Sequence, residues 1–399
     1  MKRLCFIASH PIQYHVPWLQ AMASHPGLDL DVYFCHQATP EEQSDAGFGV
    51  KFDWDIPLLD GYSHSFLANV AKKPSIASFG GLDTPEIKHK ISRRKFDAVI
   101  VNGWHFKSAW QAIISCWRTK TPVMVRSDSH LRTQRSLLKK TLKHSLYRSF
   151  IPRFDACLAV GSWSSEYFIK YGADPSKVFI VPHVVDNDRY ARESTKLLSQ
   201  RVELREKWGL KGESIVFLFS GKFVEQKRPI DFIKAVEIAS REYPRIVGLM
   251  VGDGSLRCAC EGFAHDIGAP VKFTGFLNQS QIIQAYSVAD ALVLPSAGET
   301  WGMVVNEAMA CGRPCIVSDQ VGSAPDLIDE GITGSVFSVG DVRALANLIV
   351  SYAADEARLR KMGNAASAKI ARNSVDAAVE GVIKALDRMT DRGKNSAQK

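Results

Sequence analysis

Short apolar runs alternate with helical patterns along most of the chain. Each run is short enough to be a strand buried on both faces of a sheet. The predicted strands lie at 4–8, 30–34, 98–101, 123–125, 157–160, 178–181, 215–220, 246–251, 271–274, 291–294 and 315–318. The predicted helices lie at 15–24, 106–118, 131–149, 163–171, 229–242, 279–288, 302–311 and 342–353. This alternation is typical of α/β proteins with parallel sheets.

The alternation is interrupted near residues 182–199, where polar residues replace the strand–helix rhythm before a new series begins. A chain of 399 residues is also too long for one ordinary hydrophobic core. We therefore predict two doubly wound, Rossmann-like domains that face each other across a cleft, at 1–185 and 186–365. Residues 366–399 are expected to form a helix that crosses back to the first domain and ends in a frayed tail. Ligands in such sheets bind beyond the carboxyl ends of the strands.

Composition narrows the class of protein. The 46% apolar and 23% charged residues are globular values, and no apolar run approaches the roughly 20 residues of a membrane span. The first apolar run ends at Ser9 and His10, before the roughly 7–15 residues that a signal peptide needs. We expect a soluble, cytoplasmic protein. Its net charge of +8 suits an anionic partner such as nucleic acid, a phosphate-bearing small molecule or an acidic membrane surface.

The eight cysteines are scattered, mostly within apolar segments, and form no Cys-x-x-Cys pair. Cys258 and Cys260 have neither a second pair nor a histidine cluster that would complete a zinc site. We expect buried, reduced thiols and no bound metal.

The densest candidate chemistry lies at 295–314. A strand ends at Pro295, a loop of small residues follows, and a helix is predicted from near Gly302 to Gly312. The free N–H groups at a helix start attract anions. Glu299 precedes this helix and Glu307 lies inside it, so both carboxylates could address one ligand, one near the anion and the other accepting hydrogen bonds from hydroxyls. The alternative is a helix with an acidic first turn.

Two further loops follow predicted strands. In the first, Gly221 allows close approach of the backbone to a ligand, and Lys222 and Lys227 are spaced to clamp a diphosphate. A solvated basic loop is the alternative. The second is the glycine turn at Gly252 and Asp253, which is weak evidence alone because such turns are common.

In this order, these residues resemble the family 4 retaining glycosyltransferases (glycosyl transferases group 1), which have the GT-B architecture. Glu299 and Glu307 match the family's E-x7-E pair, and Lys222 and Lys227 match its basic pair. The glycine turn after 246–251 matches as well. Phe276 ends a segment similar to the loop that borders the nucleotide base, and 182–186 resembles the hinge. The resemblance is strong over about 180–340 and weaker before.

The resemblance implies a nucleotide-sugar donor, a UDP- or GDP-sugar, bound mainly by the C-terminal domain. Gly221, Gly252 and Asp253 would then shape its pocket. Lys222 and Lys227 would neutralise the diphosphate.

For the other donor contacts, the resemblance implies that Glu307 holds the ribose. Glu299 and the N–H groups of Gly302, Met303 and Val304 would face the sugar and the phosphates. Fixed cations and N–H groups would stabilise the departing nucleoside diphosphate without a metal.

The N-terminal half departs from the family pattern. Segment 9–15 replaces the usual glycine-rich loop. The family's histidine after the fifth strand would align with Asp128, so either Asp128 or His130 could take its place. His105, after the preceding strand, is expected to point at the cleft. For each of these three, a purely structural loop residue is the alternative.

The implied acceptor is a saccharide or lipid-linked saccharide, bound on the N-terminal side. The implied role is retaining transfer in bacterial surface polysaccharide or glycoconjugate synthesis.

The predicted helix 131–149 carries a leucine stripe, at Leu131, Leu138, Leu142 and Leu146, surrounded by six cations at 132, 135, 139, 140, 143 and 148. The simplest interpretation packs the leucines on the first sheet. Outward cations would still allow docking on the anionic inner face of the plasma membrane.

Three other functions were weighed. A nucleotide-sugar isomerase of GT-B architecture would not need both the glutamate pair and the lysine pair. A non-catalytic nucleotide-sugar sensor is opposed by the intact donor residues. A nucleic-acid-binding module lacks a recognisable motif. The motif from Asp186 to Asp188 resembles a metal-binding Asp-x-Asp but is interpreted as a hinge turn, because no carboxylate cluster accompanies it.

Overall fold

The computed structural model describes residues 1–37, 39, 50–91, 95–132 and 137–397. The chain divides into two compact units. The first unit contains Met1–Glu42, Pro57–Val184 and Val375–Lys399, and the second contains Gln43–Ile56 and Val185–Ser374. Relative to the predicted boundaries, residues 43–56 are grouped with the second unit, and the returning segment begins at Val375 instead of 366.

The first unit is built on a seven-stranded parallel sheet with strand order β3-β2-β1-β4-β5-β6-β7. Its strands are β1 (Lys2–Ala8), β2 (Leu28–Phe34), β3 (Ser63–Phe66), β4 (Ala98–Asn102), β5 (Val123–Ser127), β6 (Ala156–Ala159) and β7 (Val178–Ile180). Strand β3 was not predicted, because this edge strand is short, largely polar and mostly exposed.

Helices cover both faces of the first sheet. They are Val16–Ser24, Ile87–Ile91, Lys107–Thr119, Leu137–Phe150, Ser162–Lys170 and Val375–Ala397. The last of these contributes Ala378 and Val382 to the core that also contains Phe6 and Leu30. The C-terminal helix is therefore part of the first unit, although it follows the whole of the second unit in sequence.

The second unit has a six-stranded parallel sheet with order β10-β9-β8-β11-β12-β13. Its strands are β8 (Ile215–Ser220), β9 (Ile246–Val251), β10 (Val271–Gly275), β11 (Ala291–Leu294), β12 (Cys315–Ser318) and β13 (Gly334–Phe337). Strand β13 was missed because glycine and serine occupy half of it. The helices are Asn187–Leu197, Arg201–Lys207, Pro229–Glu242, Arg257–Asp266, Ile282–Val288, Met303–Ala310, Ala324–Leu327, Val342–Ala353 and Glu356–Ile370.

Both sheets have the doubly wound order, in which the chain reverses direction across the sheet beside its first strand. The predicted α/β class with two Rossmann-like domains is confirmed. Because parallel strands end at the same edge, the loops after β8, β9 and β11 meet at the carboxyl edge of the second sheet.

The segment 182–199 corrects a prediction. It contains the helix Asn187–Leu197, where the sequence suggested a break. Asp186 caps this helix, and its Oδ1 accepts from the backbone N–H of Arg189 at 2.9 Å. The helix was missed because its residues are predominantly polar, although an aspartate cap is a recognised start signal. The Asp186–Asp188 motif therefore opens a helix instead of forming the expected hinge turn.

Within the described residues, no helix combines the length and the apolar character that crossing a membrane requires.

Candidate functional site

Two glycine loops meet, backbone against backbone, at the carboxyl ends of β8 and β9. The Gly221 N–H donates to the carbonyl of Val251 at 3.0 Å. Gly252 has a φ of +132°, and a Cβ atom there would lie 1.9 Å from the carbonyl oxygen of Gly221. Only glycine fits at this position. The loops that carry Lys222 and Asp253 are thus packed against each other.

The carboxylate of Asp253 is used locally. Its Oδ1 accepts from the N–H of Gly254 at 2.7 Å, and its carbonyl accepts from the N–H of Phe223 at 2.8 Å. Asp253 therefore shapes the turn and ties it to the loop after β8.

Lys227 and Glu299 form an ion pair between the loops after β8 and β11. The same oxygen, Glu299 Oε1, accepts from Ser296 Oγ at 2.9 Å. The loops are also joined through the backbone, where the N–H of Ala297 donates to the carbonyl of Gln226 at 2.7 Å. The structure thus brings together one residue of the predicted basic pair and one of the predicted acidic pair.

Lys222 lies near this ion pair and is partly buried. Burial lowers its pKa, the neighbouring charge of Lys227 lowers it further, and Glu299 acts in the opposite direction. Lys222 therefore lies within electrostatic reach of both members of the ion pair, and the two ammonium groups repel each other. A bound anion would relieve this repulsion.

The helix Met303–Ala310 begins beside Glu299. Gly302 precedes it with a φ of +95° and caps it without a side chain. The N–H groups of Met303 and Val304 lie in the first turn, where the helix itself offers no acceptor. These N–H groups and the helix dipole give this end of the second unit a partial positive charge.

Glu307 lies deeper than Glu299. It is 2% exposed, and the hydroxyl of Tyr286 donates to its Oε2 at 2.6 Å. Burial and the nearby carboxylate raise the pKa of Tyr286 well above its usual value. The two glutamates therefore differ in surroundings, since one pairs with a lysine and the other with a buried phenol. Sequence reasoning missed Tyr286, whose apolar helix gives no sign of this contact.

Phe276 follows β10, and its ring lies 4.4 Å from that of Phe52, centroid to centroid. The segment around Phe52 is held to the same loop by polar contacts. Asn278 Nδ2 donates to the carbonyl of Asp53 at 2.7 Å, and the N–H of Ser280 donates to Asp55 Oδ2 at 3.1 Å. The sequence shows no clear helix or strand pattern from about 36 to 90, which is typical of a functional or mobile loop and did not indicate these contacts. Its paired aromatic residues, Phe52 and Trp54, were the available signal.

The three N-terminal candidates have different environments in the first unit. His105 is exposed and lies parallel to the ring of Trp104. His130 is 8% exposed, and its Nδ1 accepts from the N–H of Arg132 at 3.2 Å. Asp128 is partly exposed, and its Oδ2 lies 3.9 Å from Nε2 of His183. His130 is therefore packed into the fold, whereas the side chains of His105 and Asp128 reach solvent.

The basic helix differs from its prediction. Residues 133–136 lie outside the described residues, as do the side chains of Leu138, Lys139, Lys140 and Leu142. Lys143 lies over the rings of Tyr147 and Tyr167, at 4.9 and 4.7 Å, so it is not simply an outward cation. Leu131 and Leu146 are 41% and 56% exposed, so they do not pack on the sheet as expected.

Comparisons with known proteins extend over most of the chain. Residues 180–369 match the family model described as glycosyl transferases group 1. Residues 24–189 match that of glycosyltransferase family 4. A D-inositol 3-phosphate glycosyltransferase of Actinosynnema mirum is 34% identical over 175 residues, which are 41% of this chain and 40% of that protein. The chain spans 40% to 58% of the length of such curated relatives.

Solved structures share the fold over nearly the whole chain. A glycosyltransferase from Rickettsia africae has a TM-score of 0.74 at 16% identity, covering 98% of both chains. Anabaena HepE, in complex with UDP and glucose, has a TM-score of 0.70 at 18% identity, covering 97% of this chain and 100% of that one. The GT-B fold class predicted from the sequence is therefore confirmed. The two parts of the chain match the family 4 and the group 1 glycosyltransferase models respectively, so the resemblance identified from the sequence is confirmed.

Proposed function

We propose that this protein transfers a sugar from a UDP- or GDP-linked donor to a saccharide or lipid-linked saccharide, with retention of configuration at the anomeric carbon. One observation carries the proposal. Lys222, Lys227 and Glu299 converge beside the start of the helix Met303–Ala310, within the region that matches the group 1 family. Cations and free N–H groups around one point suit a diphosphate.

In the proposed reaction, the bond between the sugar's anomeric carbon and the diphosphate oxygen breaks, and its electron pair leaves with the nucleoside diphosphate. An acceptor hydroxyl forms the new bond to that carbon and gives its proton to the departing diphosphate oxygen. Lys222, Lys227 and the N–H groups of Met303 and Val304 stabilise the charge on the leaving group. A diphosphate that binds Lys227 competes with Glu299 for it, so Glu299 is released to accept from the sugar hydroxyls.

The remaining donor contacts follow from burial and position. Glu307 lies inside the helix and is held by Tyr286, which suits it to the ribose hydroxyls. Phe276 borders the base, and Phe52 lies against it. Gly221, Gly252 and Asp253 shape the floor of the pocket. His105 and Asp128 are proposed to face the transferred sugar or the acceptor.

The names of similar proteins support this class of chemistry. One relative is named a D-inositol 3-phosphate glycosyltransferase, and one solved structure holds UDP and glucose. A role in bacterial surface polysaccharide or glycoconjugate synthesis is part of the proposal. We also propose that the protein acts in the cytoplasm and docks reversibly on the inner face of the membrane. The cationic segment 131–149 supports the docking.

The first test is a thermal-shift panel of UDP- and GDP-sugars. A donor at 100 times its Kd adds about 2.7 kcal/mol to the free energy of unfolding, which is readily detected. Proton NMR of the first product, with a chelator present, then gives the anomeric configuration. A panel in which no nucleotide sugar raises the melting temperature contradicts the proposal. An inverted product, or activity lost in chelator, contradicts retention or metal independence respectively.

Membrane docking has its own test. Co-sedimentation with anionic vesicles should decrease with salt and with the double substitution Lys139→Glu and Lys140→Glu. Lys384→Glu, on the C-terminal helix, is the matched control. Equal binding to neutral vesicles contradicts docking through this helix.

A further inference from the structure

A second group of charged and titratable side chains lies in the first unit, at the ends of β1, β5 and β7. Arg126 is at its centre. This residue lies in β5 and is 4% exposed, and its guanidinium carbon lies 5.0 Å from the ring of Trp18. A buried guanidinium normally has several oxygen acceptors. In the described structure its Nε has none, and its Nη2 donates to only one oxygen, the carbonyl of Pro182, at 3.3 Å.

The other partner of Arg126 Nη2 is a ring nitrogen, Nδ1 of His183, at 3.2 Å. A guanidinium can only donate, so Nδ1 must be the acceptor and carry no proton. In a neutral imidazole the single proton then lies on Nε2. This Nε2 faces Asp128 Oδ2 at 3.9 Å. The guanidinium therefore donates to the imidazole, and the protonated Nε2 of the imidazole lies within ion-pair distance of the Asp128 carboxylate.

The charges around His183 favour the same state. Burial lowers the pKa of His183, and the positive charge of Arg126 lowers it further, while Asp128 opposes both. His15, buried nearby, also has a pKa lowered by burial and by Arg126. Protonation of His183 would place a hydrogen on Nδ1 directly against the guanidinium. His183 therefore remains a neutral donor at pH values where an exposed histidine would be half protonated.

We propose that His183 is a positioning residue for Asp128: Arg126 fixes its tautomer, and its Nε2–H attracts and orients the Asp128 carboxylate. The side chain of Asp128 is 37% exposed, whereas that of His183 is 16% exposed. The carboxylate thus has one oxygen near the imidazole while its outer part reaches solvent, where a sugar hydroxyl can donate to it. The proposal rests on the proposed function for the role of Asp128, but the state of His183 is measurable without turnover.

The first test is NMR of the full-length protein with ¹⁵N-labelled histidine. The His183 signal is assigned by its disappearance in His183→Gln. From about pH 6 to pH 8, it should show a protonated Nε2, an unprotonated Nδ1 and no conversion to imidazolium. His265, which is 89% exposed, provides the reference histidine signal in the same spectra. A proton on Nδ1, a mixture of tautomers, or titration of His183 in this range overturns the proposal.

The second test compares two substitutions of matched size. His183→Gln keeps one acceptor and one donor, whereas His183→Phe keeps the ring and removes both. We expect His183→Phe to lower kcat about tenfold with the donor KM within about twofold. His183→Gln should recover most of kcat, and His265→Gln should resemble the wild type.

Equal losses in His183→Gln and His183→Phe would mean that His183 only fills space, and no loss in either would mean that it does not act on Asp128. Both results overturn the proposal. A chain that shows the expected tautomer but transfers no sugar from any donor contradicts only the proposed function. Melting temperatures of both variants exclude unfolding as the cause.

Discussion

Lys227 and Glu299 pair with each other, so an anion that binds this lysine must first replace an internal carboxylate. When Glu299 loses its ion pair with Lys227, the hydrogen bond that Ser296 donates to the same carboxylate oxygen remains. The Glu299 carboxylate therefore neutralises Lys227 until an anion that binds the lysine more tightly replaces it. Exchange of one carboxylate for a doubly charged diphosphate is favourable because the number of charge-assisted hydrogen bonds increases.

Lys227→Ala is expected to lower kcat/KM by about 10- to 150-fold, corresponding to about 1.5–3 kcal/mol for a lost charge-assisted hydrogen bond. Steady-state kinetics with the donor identified in the thermal-shift panel measures this. Lys234→Ala, which removes a lysine that lies over the ring of Phe263 at 5.6 Å, is the control. A Lys227→Ala enzyme with the kcat/KM of the wild type would show that the lysine does not contact the diphosphate.

The two glutamates should separate binding from transfer. Glu307→Gln is expected to weaken binding of the nucleoside diphosphate several-fold, because its amide replaces an acceptor that ribose and Tyr286 share. Glu299→Gln should spare this binding and lower kcat. The conservative glutamine is needed because Glu307→Ala would remove the acceptor to which the buried Tyr286 hydroxyl donates, at a cost of about 1–3 kcal/mol. Titration calorimetry with nucleoside diphosphate, next to kinetics, gives both numbers, and the reverse pattern would exchange the two roles.

Single residues were predictable from the sequence where their chemistry is carried by a local motif. Lys222, Lys227 and Glu299 come from loops that directly follow apolar strands, and the structure brings them together. Tyr286 and His183 were not predicted, because their partners lie far away in the sequence. A tyrosine or histidine in a buried segment has no local feature that identifies the group it will contact.

At the scale of helices and strands, the elements that could be predicted from the sequence are those with many buried apolar residues. The central strands β1, β4, β5, β8 and β9 are predominantly apolar and were predicted within a few residues of their observed bounds. The missed elements are edge strands and solvated helices. In Asn187–Leu197 only Tyr190 and Ser194 are buried, so no apolar stripe marks it. A helix of this kind is stabilised by its cap and a few contacts, which a search for apolar periodicity overlooks.

The contact between the loops after β8 and β9 gives a prediction at this scale. Gly252→Ala should abolish donor binding and lower the melting temperature, since its Cβ would lie 1.9 Å from the Gly221 carbonyl oxygen. Gly262→Ala is the matched control, because its Cβ would meet no atom within 4 Å in the helix Arg257–Asp266. Alanine should stabilise that helix by up to about 1 kcal/mol. A Gly252→Ala protein that binds donor normally would contradict the packing of the two loops.

At the scale of the whole molecule, the two-domain organisation was predictable from length and from the repeated strand–helix rhythm. The grouping of 43–56 with the second unit was not, because its described residues, 50–56, form no helix or strand and contact residues far away in the sequence, as Phe52 contacts Phe276. The return of the C-terminal helix to the first unit matches the sequence expectation in kind, but it begins later, at Val375.

Substitution of one glycine in each unit can test the packing of the two units separately. A Cβ at Gly381 would lie 2.2 Å from the carbonyl oxygen of Ile180 in the first unit, and a Cβ at Gly363 would lie 2.3 Å from that of Gly312 in the second. Each alanine substitution should therefore loosen its own unit. Hydrogen exchange followed by mass spectrometry is expected to show faster exchange near β7 in Gly381→Ala and near β12 in Gly363→Ala. Faster exchange in the opposite unit, or in neither, would contradict the assignment of these helices.

The helix Asn187–Leu197, which Asp186 caps, also connects the beginning of the main segment of the second unit to the end of that segment. Asn187 Nδ2 donates to the carbonyl of Ile370 at 3.0 Å, so the chain enters and leaves this unit at neighbouring points. Apart from residues 43–56, the second unit is one long insertion with closely spaced ends. Replacing residues 185–374 by the corresponding segment of a relative should therefore transfer most of the proposed donor pocket without altering the sheet of the first unit.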